Sequence, residues 1–169
     1  MMLPRLTLAL ALVLAALPAA GQSQPKTVVE LFTSQGCASC PPADALLTEL
    51  SKDPDVLALT LAVDYWDYVG WKDTLALHGH SLRQKAYADR RPDRKVFTPQ
   101  MVVNGRKQVV GSDRAAIRRE ISAGTAAAHR DLAVEVDLEA TGDALVVRIA
   151  DAPADWDGAQ ATVWLARYD

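Results

Sequence analysis

The residues most able to do chemistry in this chain are its two cysteines, Cys37 and Cys40, which form a C-x-x-C sequence. A thiolate attacks a disulfide, and cysteines at this spacing can pair without a distant backbone movement. Where a strand turns into a helix, Cys37 would lie near the positive end of the helix dipole, which stabilises a thiolate. The spacing predicts a redox pair, with Cys37 as nucleophile and Cys40 as resolving thiol.

Two other uses of this cysteine pair stay open. One is a structural disulfide, although a four-residue loop constrains the unfolded chain little. The other is a metal site, which needs further ligands, and His78 and His80 are the candidates that lie close to each other. Pro41 and Pro42 cannot donate helix hydrogen bonds, so a helix start later than the second cysteine would place Cys37 further from the dipole.

The order of the strands and helices predicted around the cysteines indicates an α/β fold. Apolar runs and helical patterns alternate as strand, helix, strand, helix, strand, strand, helix. The predicted bounds are 26–32, 43–50, 56–63, 81–90, 100–103 and 107–110, followed by a last helix. Asn104-Gly105 predicts a hairpin turn, Ser112 is expected to cap the last helix, and Gly124 is expected to end it. The order is a βαβ unit and then a ββα unit around a central mixed sheet.

After His129 the pattern changes to alternating apolar and polar residues. The alternation of Leu132, Val134, Val136 and Leu138 predicts a first strand, Thr141-Gly142-Asp143 predicts a turn, and two further strands are predicted at residues 145–149 and 161–168. These features predict a small antiparallel β module in residues 131–169.

The N-terminus predicts a secretory signal peptide at residues 1–21. Arg5 precedes an apolar run at 6–17, and small or turn-favouring residues follow. The alternative is a membrane anchor, but the run is about half the ~20 residues that span a bilayer. We therefore expect a periplasmic or secreted chain without stable membrane insertion after cleavage. Removing Arg5 leaves 17 Lys and Arg against 21 Asp and Glu, a net charge of −4, which argues against nucleic acid as a partner.

With Cys37 and Cys40 after a strand and Thr98-Pro99 before the next strand and its hairpin, the sequence resembles the thioredoxin superfamily. The resemblance implies that the Thr98–Pro99 bond is cis and that Pro99 faces the cysteine pair. It also implies that a substrate strand pairs beside the backbone of Thr98. On this basis residues 25–125 are expected to form a thioredoxin-like domain.

Four segments are similar to one exported bacterial family, catalogued as domain of unknown function twelve-twenty-three. They are V-V-E-L-F-T-S-Q-G-C-A-S-C-P-P-A-D at 28–44, V-D-Y-W-D-Y-V-G-W-K-D at 63–73, T-P-Q-M-V-V-N-G at 98–105 and G-S-D-R at 111–114. This family implies a fold and an exported location, but no reaction. Its members usually continue past the equivalent of Asp169, which implies that the C-terminal β module is truncated here.

Two departures from typical thioredoxins concern the surroundings of the cysteines. The aromatic residue that usually precedes the first cysteine is replaced by Gly36. The buried acid expected six positions before that cysteine is replaced by Leu31. Glu30 lies next to it, but neighbouring strand residues point to opposite faces, so Glu30 cannot simply take over the role.

The aromatic loop at 65–71 is expected near the cysteines, because ligands in α/β sheets bind outside the carboxyl ends of strands. Trp66 and Trp71 are candidate substrate-binding residues there, or alternatively a lid packed on the core. Asp64 and Asp67 are expected to form turns, or else to tune the cysteines. A basic stretch is expected to be a solvated helix face; it comprises Arg83, Lys85, Arg90, Arg91, Arg94 and Lys95.

Taken together, these features favour a thiol-disulfide oxidoreductase that needs no dissociable cofactor and exchanges electrons with protein thiols or disulfides. Its site would comprise Cys37, Cys40, Thr98 and Pro99, with the two tryptophans beside them. The alternatives are a non-enzymatic binding protein with an inert disulfide and, less favoured, a metal-handling protein that uses the two thiolates. The oligomeric state and the direction of redox flow do not follow from the sequence, because the reduction potential decides the direction.

Overall fold

The computed structural model of the chain describes residues 26–131 and 134–156, with the side chains of 125–131 outside that description. The elements in chain order are β1 (Thr27–Thr33), α1 (Pro41–Leu50), β2 (Val56–Ala62), a 3-10 helix (Asp64–Val69), α2 (His78–Asp89), β3 (Gln100–Val103), β4 (Lys107–Val110), α3 (Arg114–Asp131), β5 (Val136–Thr141), β6 (Ala144–Ile149) and a second 3-10 helix (Ala154–Trp156). The predicted signal peptide and the predicted strand at 161–168 lie outside the described residues.

Four strands form the central mixed sheet, in the order β2-β1-β3-β4. β1 runs parallel to β2 and antiparallel to β3, and β3 turns back into β4. The almost unbroken apolar run of β1 fits this central place, because helices cover both faces of the sheet. The predicted α/β class, with a βαβ unit followed by a ββα unit and a central mixed sheet, is confirmed.

The two faces of β1 belong to two separate apolar clusters. On one face Leu31 packs with Leu46 of α1 and Ile117 of α3. On the other face Phe32 packs with Tyr87 of α2, ring edge against ring face at 6.2 Å. Each fully buried Leu or Phe contributes about 1.5–3 kcal/mol relative to exposure, so these clusters stabilise the sheet and fix its register.

A buried ion pair lies beneath α2 on the Phe32 face. Glu30 is 2% exposed, and it accepts hydrogen bonds from Arg83 Nε and from the Tyr87 hydroxyl, both at 2.5 Å. The charge is therefore paired, as a buried carboxylate requires. The expectation that the basic stretch is only a solvated helix face is wrong for Arg83, because its side chain is 22% exposed and pairs with the buried Glu30.

The tight hairpin between β3 and β4 is as predicted. Asn104 and Gly105 have φ values of +49° and +65°, the left-handed conformations that the two central residues of a type I′ turn need, and Arg106 N donates to Val103 O at 3.0 Å. Asn104 Oδ1 also accepts a hydrogen bond from Val28 N at 2.8 Å, which ties the turn to β1.

The predicted bounds of α3 are wrong at both ends. The helix begins at Arg114, and Asp113 caps it by accepting a hydrogen bond from Ala116 N at 2.9 Å, so Ser112 is not the cap. Gly124 does not end the helix, which continues to Asp131. A Cβ at Gly124 would lie 2.5 Å from Asn104 Nδ2, so this glycine serves the close approach of helix and hairpin.

The C-terminal part contains a two-stranded antiparallel sheet made by β5 and β6. One of its faces is entirely apolar at the paired positions, whereas Glu139 and Arg148 form an ion pair on the other at 2.6 Å. Two strands of the predicted β module are thus described. None of the described helices is both long and apolar enough to cross a membrane.

Candidate functional site

Cys37 and Cys40 form a disulfide in the turn between β1 and α1, with a Cα–Cα distance of 5.4 Å. Cys37 N donates a hydrogen bond to Ser34 O, and Cys40 N donates one to Cys37 O, each at 3.1 Å. These two successive turns bring the sulfur atoms together immediately before the helix. The disulfide therefore lies where the sequence predicted the cysteine pair, at the carboxyl end of a strand and the start of a helix.

The first turn of α1 limits how its backbone can stabilise a thiolate. The helix begins at Pro41, and neither Pro41 nor Pro42 has an N–H group. The next two amides, of Ala43 and Asp44, both donate to Cys40 O, at 2.8 and 3.1 Å. Stabilisation of a Cys37 thiolate would therefore rest on the helix dipole and on the one side-chain hydroxyl close to its sulfur.

That hydroxyl belongs to Ser39, whose Oγ lies 3.5 Å from Cys37 Sγ. A hydroxyl can rotate to donate its proton to a sulfur that carries negative charge. Ser39 is thus the residue between the two cysteines that can affect their chemistry directly.

The Thr98–Pro99 peptide bond is cis, as the resemblance implied. Pro99 is buried, and its Cβ lies 2.9 Å from the position that a Cβ on Gly111 would occupy. Leu31 Cδ1 and Ala43 Cβ lie 2.9 and 3.0 Å from that same position. Pro99 therefore packs close to the first turn of α1, which directly follows the disulfide.

Trp66 connects the aromatic loop to both other parts of the site. Its indole Nε1 donates a hydrogen bond to Thr98 Oγ1 at 2.7 Å. A Cβ on Gly36 would lie 3.2 Å from Trp66 Cβ and 3.3 Å from Val69 Cγ2, so the 3-10 helix packs directly on the residue before Cys37. The absence of a side chain at Gly36 accordingly leaves room for the 3-10 helix.

Trp71 and Asp73 hold the other end of the loop. Trp71 Nε1 donates to Gln35 Oε1 at 2.9 Å, and Gln35 N donates to Asp73 Oδ2 at 2.8 Å. Trp71 is 59% exposed, so the alternative that both tryptophans pack on the core holds only for Trp66. Asp73 is buried and was not singled out as a site residue, although it ends the segment 63–73 that carries the family resemblance. Asp67 lies in the 3-10 helix, and its Oδ1 accepts a hydrogen bond from Asp73 N at 3.1 Å, which links the two ends of the loop.

The 3-10 helix is anchored at its start by Asp64. Ser81 Oγ donates to Asp64 Oδ1 at 2.5 Å, and His78 Nδ1 lies 2.8 Å from Asp64 Oδ2. The Ser81 hydrogen bond, with a smaller contribution from His78, holds the pKa of Asp64 below its ordinary value. His80 Nδ1 instead lies 2.8 Å from the carbonyl oxygen of Ala62, so the two histidines have different partners.

No group of three or more metal-ligating side chains occurs within residues 26–131 and 134–156. The histidines predicted as candidate ligands lie in the first turn of α2 rather than in a loop, because α2 begins at His78.

The disulfide is covered in this arrangement. Cys37 is 3% exposed and Cys40 is 0% exposed. Beside them the surface is rich in exposed apolar side chains, with Tyr68 at 82% exposure stacked on Trp66. The site thus combines a buried sulfur pair with an open aromatic rim.

The chain matches the family model described as Protein of unknown function (DUF1223) over residues 28–169, and it belongs to this family. The disulfide turn, the aromatic loop and the Thr98–Pro99 segment all fall within the matched residues. Among curated proteins, none matches the chain.

Among solved structures, the chain is similar to the X-ray crystal structure of protein AGR_C_4864 from Agrobacterium tumefaciens, with 42% sequence identity and a TM-score of 0.67. The match covers 76% of this chain and 57% of that one. This chain therefore spans little more than half the length of the solved relative, and the name of that relative states no activity.

Proposed function

We propose that the chain is an exported thioredoxin-like thiol-disulfide oxidoreductase, active in the periplasm or after secretion, whose redox centre is Cys37–Cys40. The observation that carries the proposal is the place of the disulfide, which closes a four-residue turn at the N-terminus of α1. A loop this short stabilises the fold by only about 2 kcal/mol through chain entropy, whereas a sulfur at a helix N-terminus gains acidity. The position of the disulfide therefore favours a redox role over a purely structural one.

In the oxidised form, the thiolate of a partner attacks Cys37 Sγ. The Cys37–Cys40 bond breaks, and Cys40 leaves with the electron pair, which gives a mixed disulfide between the partner and Cys37. A second thiol of the partner then attacks the partner sulfur of that bond, and Cys37 leaves as a thiolate. The partner loses two electrons as its disulfide forms, and the cysteine pair gains them; the reverse sequence reduces a partner disulfide.

The residues around the disulfide have separate roles in this proposal. The helix dipole and the Ser39 hydroxyl stabilise the Cys37 thiolate. The backbone at Thr98 and Pro99 receives an extended segment of the partner, and Trp66 and Trp71 contact its side chains. No dissociable cofactor takes part, because the electrons come from protein thiols or disulfides.

The test is the reduction potential of the pair, measured in glutathione or dithiothreitol buffers together with the thiolate titration of Cys37. A potential between about −120 and −270 mV with a depressed thiol pKa is expected of a working oxidoreductase. Cys37→Ser should abolish exchange with a protein disulfide, whereas Cys40→Ser should trap the mixed disulfide. A potential below about −300 mV with an unreactive thiol would contradict the proposal.

The burial of both sulfur atoms favours one other candidate, a non-enzymatic binding protein with an inert disulfide. Its contacts would come from the exposed aromatic rim at Tyr68 and Trp71. In that case Cys37→Ser would leave binding of a partner unchanged, which separates the two functions.

A further inference from the structure

We infer that residues 64–73, here called the aromatic lid, must open before Cys37 can react, and that the substrate that opens it is an extended polypeptide segment bearing a cysteine rather than a small thiol. This inference rests on the proposed oxidoreductase function and adds to it a lid-opening step that favours an extended polypeptide over a small thiol.

The closed state follows from burial and contact. Cys37 is 3% exposed, and a thiolate must approach its sulfur along the line of the disulfide bond. The adjoining Gly36 is in contact distance of Trp66 and Val69, with 3.2 and 3.3 Å from the position of its missing Cβ. The lid therefore lies directly on the turn that holds the reactive sulfur.

The lid is held by hydrogen bonds that do not involve the cysteines. Trp66 Nε1 binds Thr98 Oγ1 at 2.7 Å, which closes one side over the segment proposed to receive the substrate. Gln35 binds the other side through Trp71 and Asp73, at 2.9 and 2.8 Å. Opening the lid therefore breaks these hydrogen bonds and withdraws Trp66 from the Phe32 cluster, while the disulfide itself stays intact.

The backbone of the lid has a pivot between these two attachments. Gly70 has a φ of +93°, and no atom lies within 4 Å of the position that a Cβ would occupy there. A glycine in open space at a positive φ can change conformation without displacing neighbours. Both sides of the lid can thus move about Gly70, and opening releases Trp66 from Thr98 and Trp71 from Gln35.

A polypeptide can compensate for lid opening in a way that a small thiol cannot. A ligand shifts such an equilibrium only by the difference in its affinity for the two states. An extended segment laid along Thr98 replaces the lost Trp66 hydrogen bond and contacts the exposed rings of Tyr68 and Trp71. Glutathione gains only the sulfur contact, so it encounters a mostly closed site.

In the step concerned, the cysteine thiolate of the segment attacks Cys37 Sγ, the Cys37–Cys40 bond breaks, and Cys40 takes the electron pair. The product is a mixed disulfide, and its formation is followed by mass spectrometry after acid quenching. The reagents are glutathione and an extended peptide with one central cysteine and apolar flanks, each mixed with the oxidised full chain.

Three variants loosen the lid by different means. Trp66→Phe removes the hydrogen bond to Thr98, Gln35→Ala removes the acceptor of Trp71, and Gly36→Ala places a methyl group against Trp66 and Val69. Gly79→Ala is the matched control, because nothing lies within 4 Å of the position of its Cβ. Thermal unfolding checks that every variant is folded, and Gln35 lies at an exposed position where the change should be tolerated.

The wild-type chain should react faster with the peptide than with glutathione. Each loosening variant should raise the glutathione rate by about three- to tenfold, which corresponds to one net hydrogen bond, and should raise the peptide rate less. Gly79→Ala should match the wild type.

Equal wild-type rates with both reagents, unchanged in all three variants, would overturn the lid and leave the oxidoreductase proposal intact. No reaction with either reagent in any variant would overturn both, because the disulfide would then be inert even when uncovered.

Discussion

Arg83 Nε and Glu30 Oε1 lie 2.5 Å apart beneath α2, on the face of β1 opposite to Leu31. Leu31 faces the α1 side, where Pro99 packs close to the helix that follows the disulfide. The charged side chain of β1 and the redox candidate are therefore separated by the sheet. Glu30 acts as a structural ion pair and does not replace the acid that typical thioredoxins carry at the position of Leu31.

Removal of Arg83 should be strongly destabilising. Arg83→Leu leaves the carboxylate of Glu30 buried without its cation, and we expect a loss of about 2–4 kcal/mol in the free energy of unfolding, since Arg83 keeps 22% of its side chain exposed. Urea denaturation measures the loss. Glu30→Leu in the same chain should recover most of it, and Lys85→Ala, in an exposed pair with Asp89, should stay close to wild type. A small effect of Arg83→Leu alone would show that water reaches Glu30.

Tyr87 should make the fold sensitive to alkali. Burial first, and then the negative charge of Glu30, raise the pKa of the Tyr87 hydroxyl well above its ordinary range. The folded state thus holds this proton more tightly than the unfolded state. The contribution of Tyr87 to the free energy of unfolding is therefore complete below about pH 10 and is lost as the pH rises further. The free energy of unfolding, measured from about pH 8 to about pH 11.5, should fall less steeply with pH in Tyr87→Phe than in the wild type. Tyr68→Phe, at an exposed position, should keep the wild-type slope.

Asp64 should make the fold sensitive to acid, whereas Tyr87 makes it sensitive to alkali. Its pKa is lowered mainly by the Ser81 hydrogen bond, so its contribution is complete above the ordinary carboxyl pKa and is lost as the pH falls through the lower folded value. In Ser81→Ala the pKa of Asp64 should rise toward the ordinary value, as carboxyl chemical shifts would measure. Ser51→Ala, at the end of α1, is the control. An unchanged Asp64 titration in Ser81→Ala would assign the shift to His78 instead.

Gly111 should tolerate no side chain. A Cβ there would meet Leu31, Pro99 and Ala43 at 2.9 to 3.0 Å, and none of these contacts is the end of a long flexible side chain. Gly111→Ala should therefore cost about 1–3 kcal/mol of stability through overpacking, and it should also disturb the disulfide turn. Thermal unfolding and the rate of disulfide reduction measure the two effects. Gly79→Ala, which meets nothing within 4 Å, should be neutral or slightly stabilising.

Much of the fold could be predicted because its signals are local. The strand at Gln100–Val103 and its return at Lys107–Val110 have the predicted bounds, since Asn104-Gly105 allows few turns other than this hairpin. The bounds of α3 could not be predicted, because Gly124 looks like a helix end but is used for packing against Asn104. Sequence patterns within the helix do not show that a hairpin from another part of the chain packs against it.

In the candidate site, too, the features with local sequence signals could be predicted and the long-range contacts could not. Its cysteines and Thr98-Pro99 follow from short patterns, and the loop rich in aromatic residues is visible in the sequence. The pairing of Trp66 with Thr98, and of Trp71 and Asp73 with Gln35, joins residues 32 to 38 positions apart. No periodicity or spacing specifies such partners.

The sequence by itself determined the α/β order of elements, the hairpin and the one possible disulfide pair, because hydrophobic periodicity, turn chemistry and the presence of two cysteines act locally or leave one choice. Only the tertiary structure decided that Glu30 lies in an ion pair away from the cysteines, and that the aromatic loop packs against Gly36 beside the disulfide. Both depend on which face of a central strand meets which helix and which loop, and that is settled by the packing of the whole sheet.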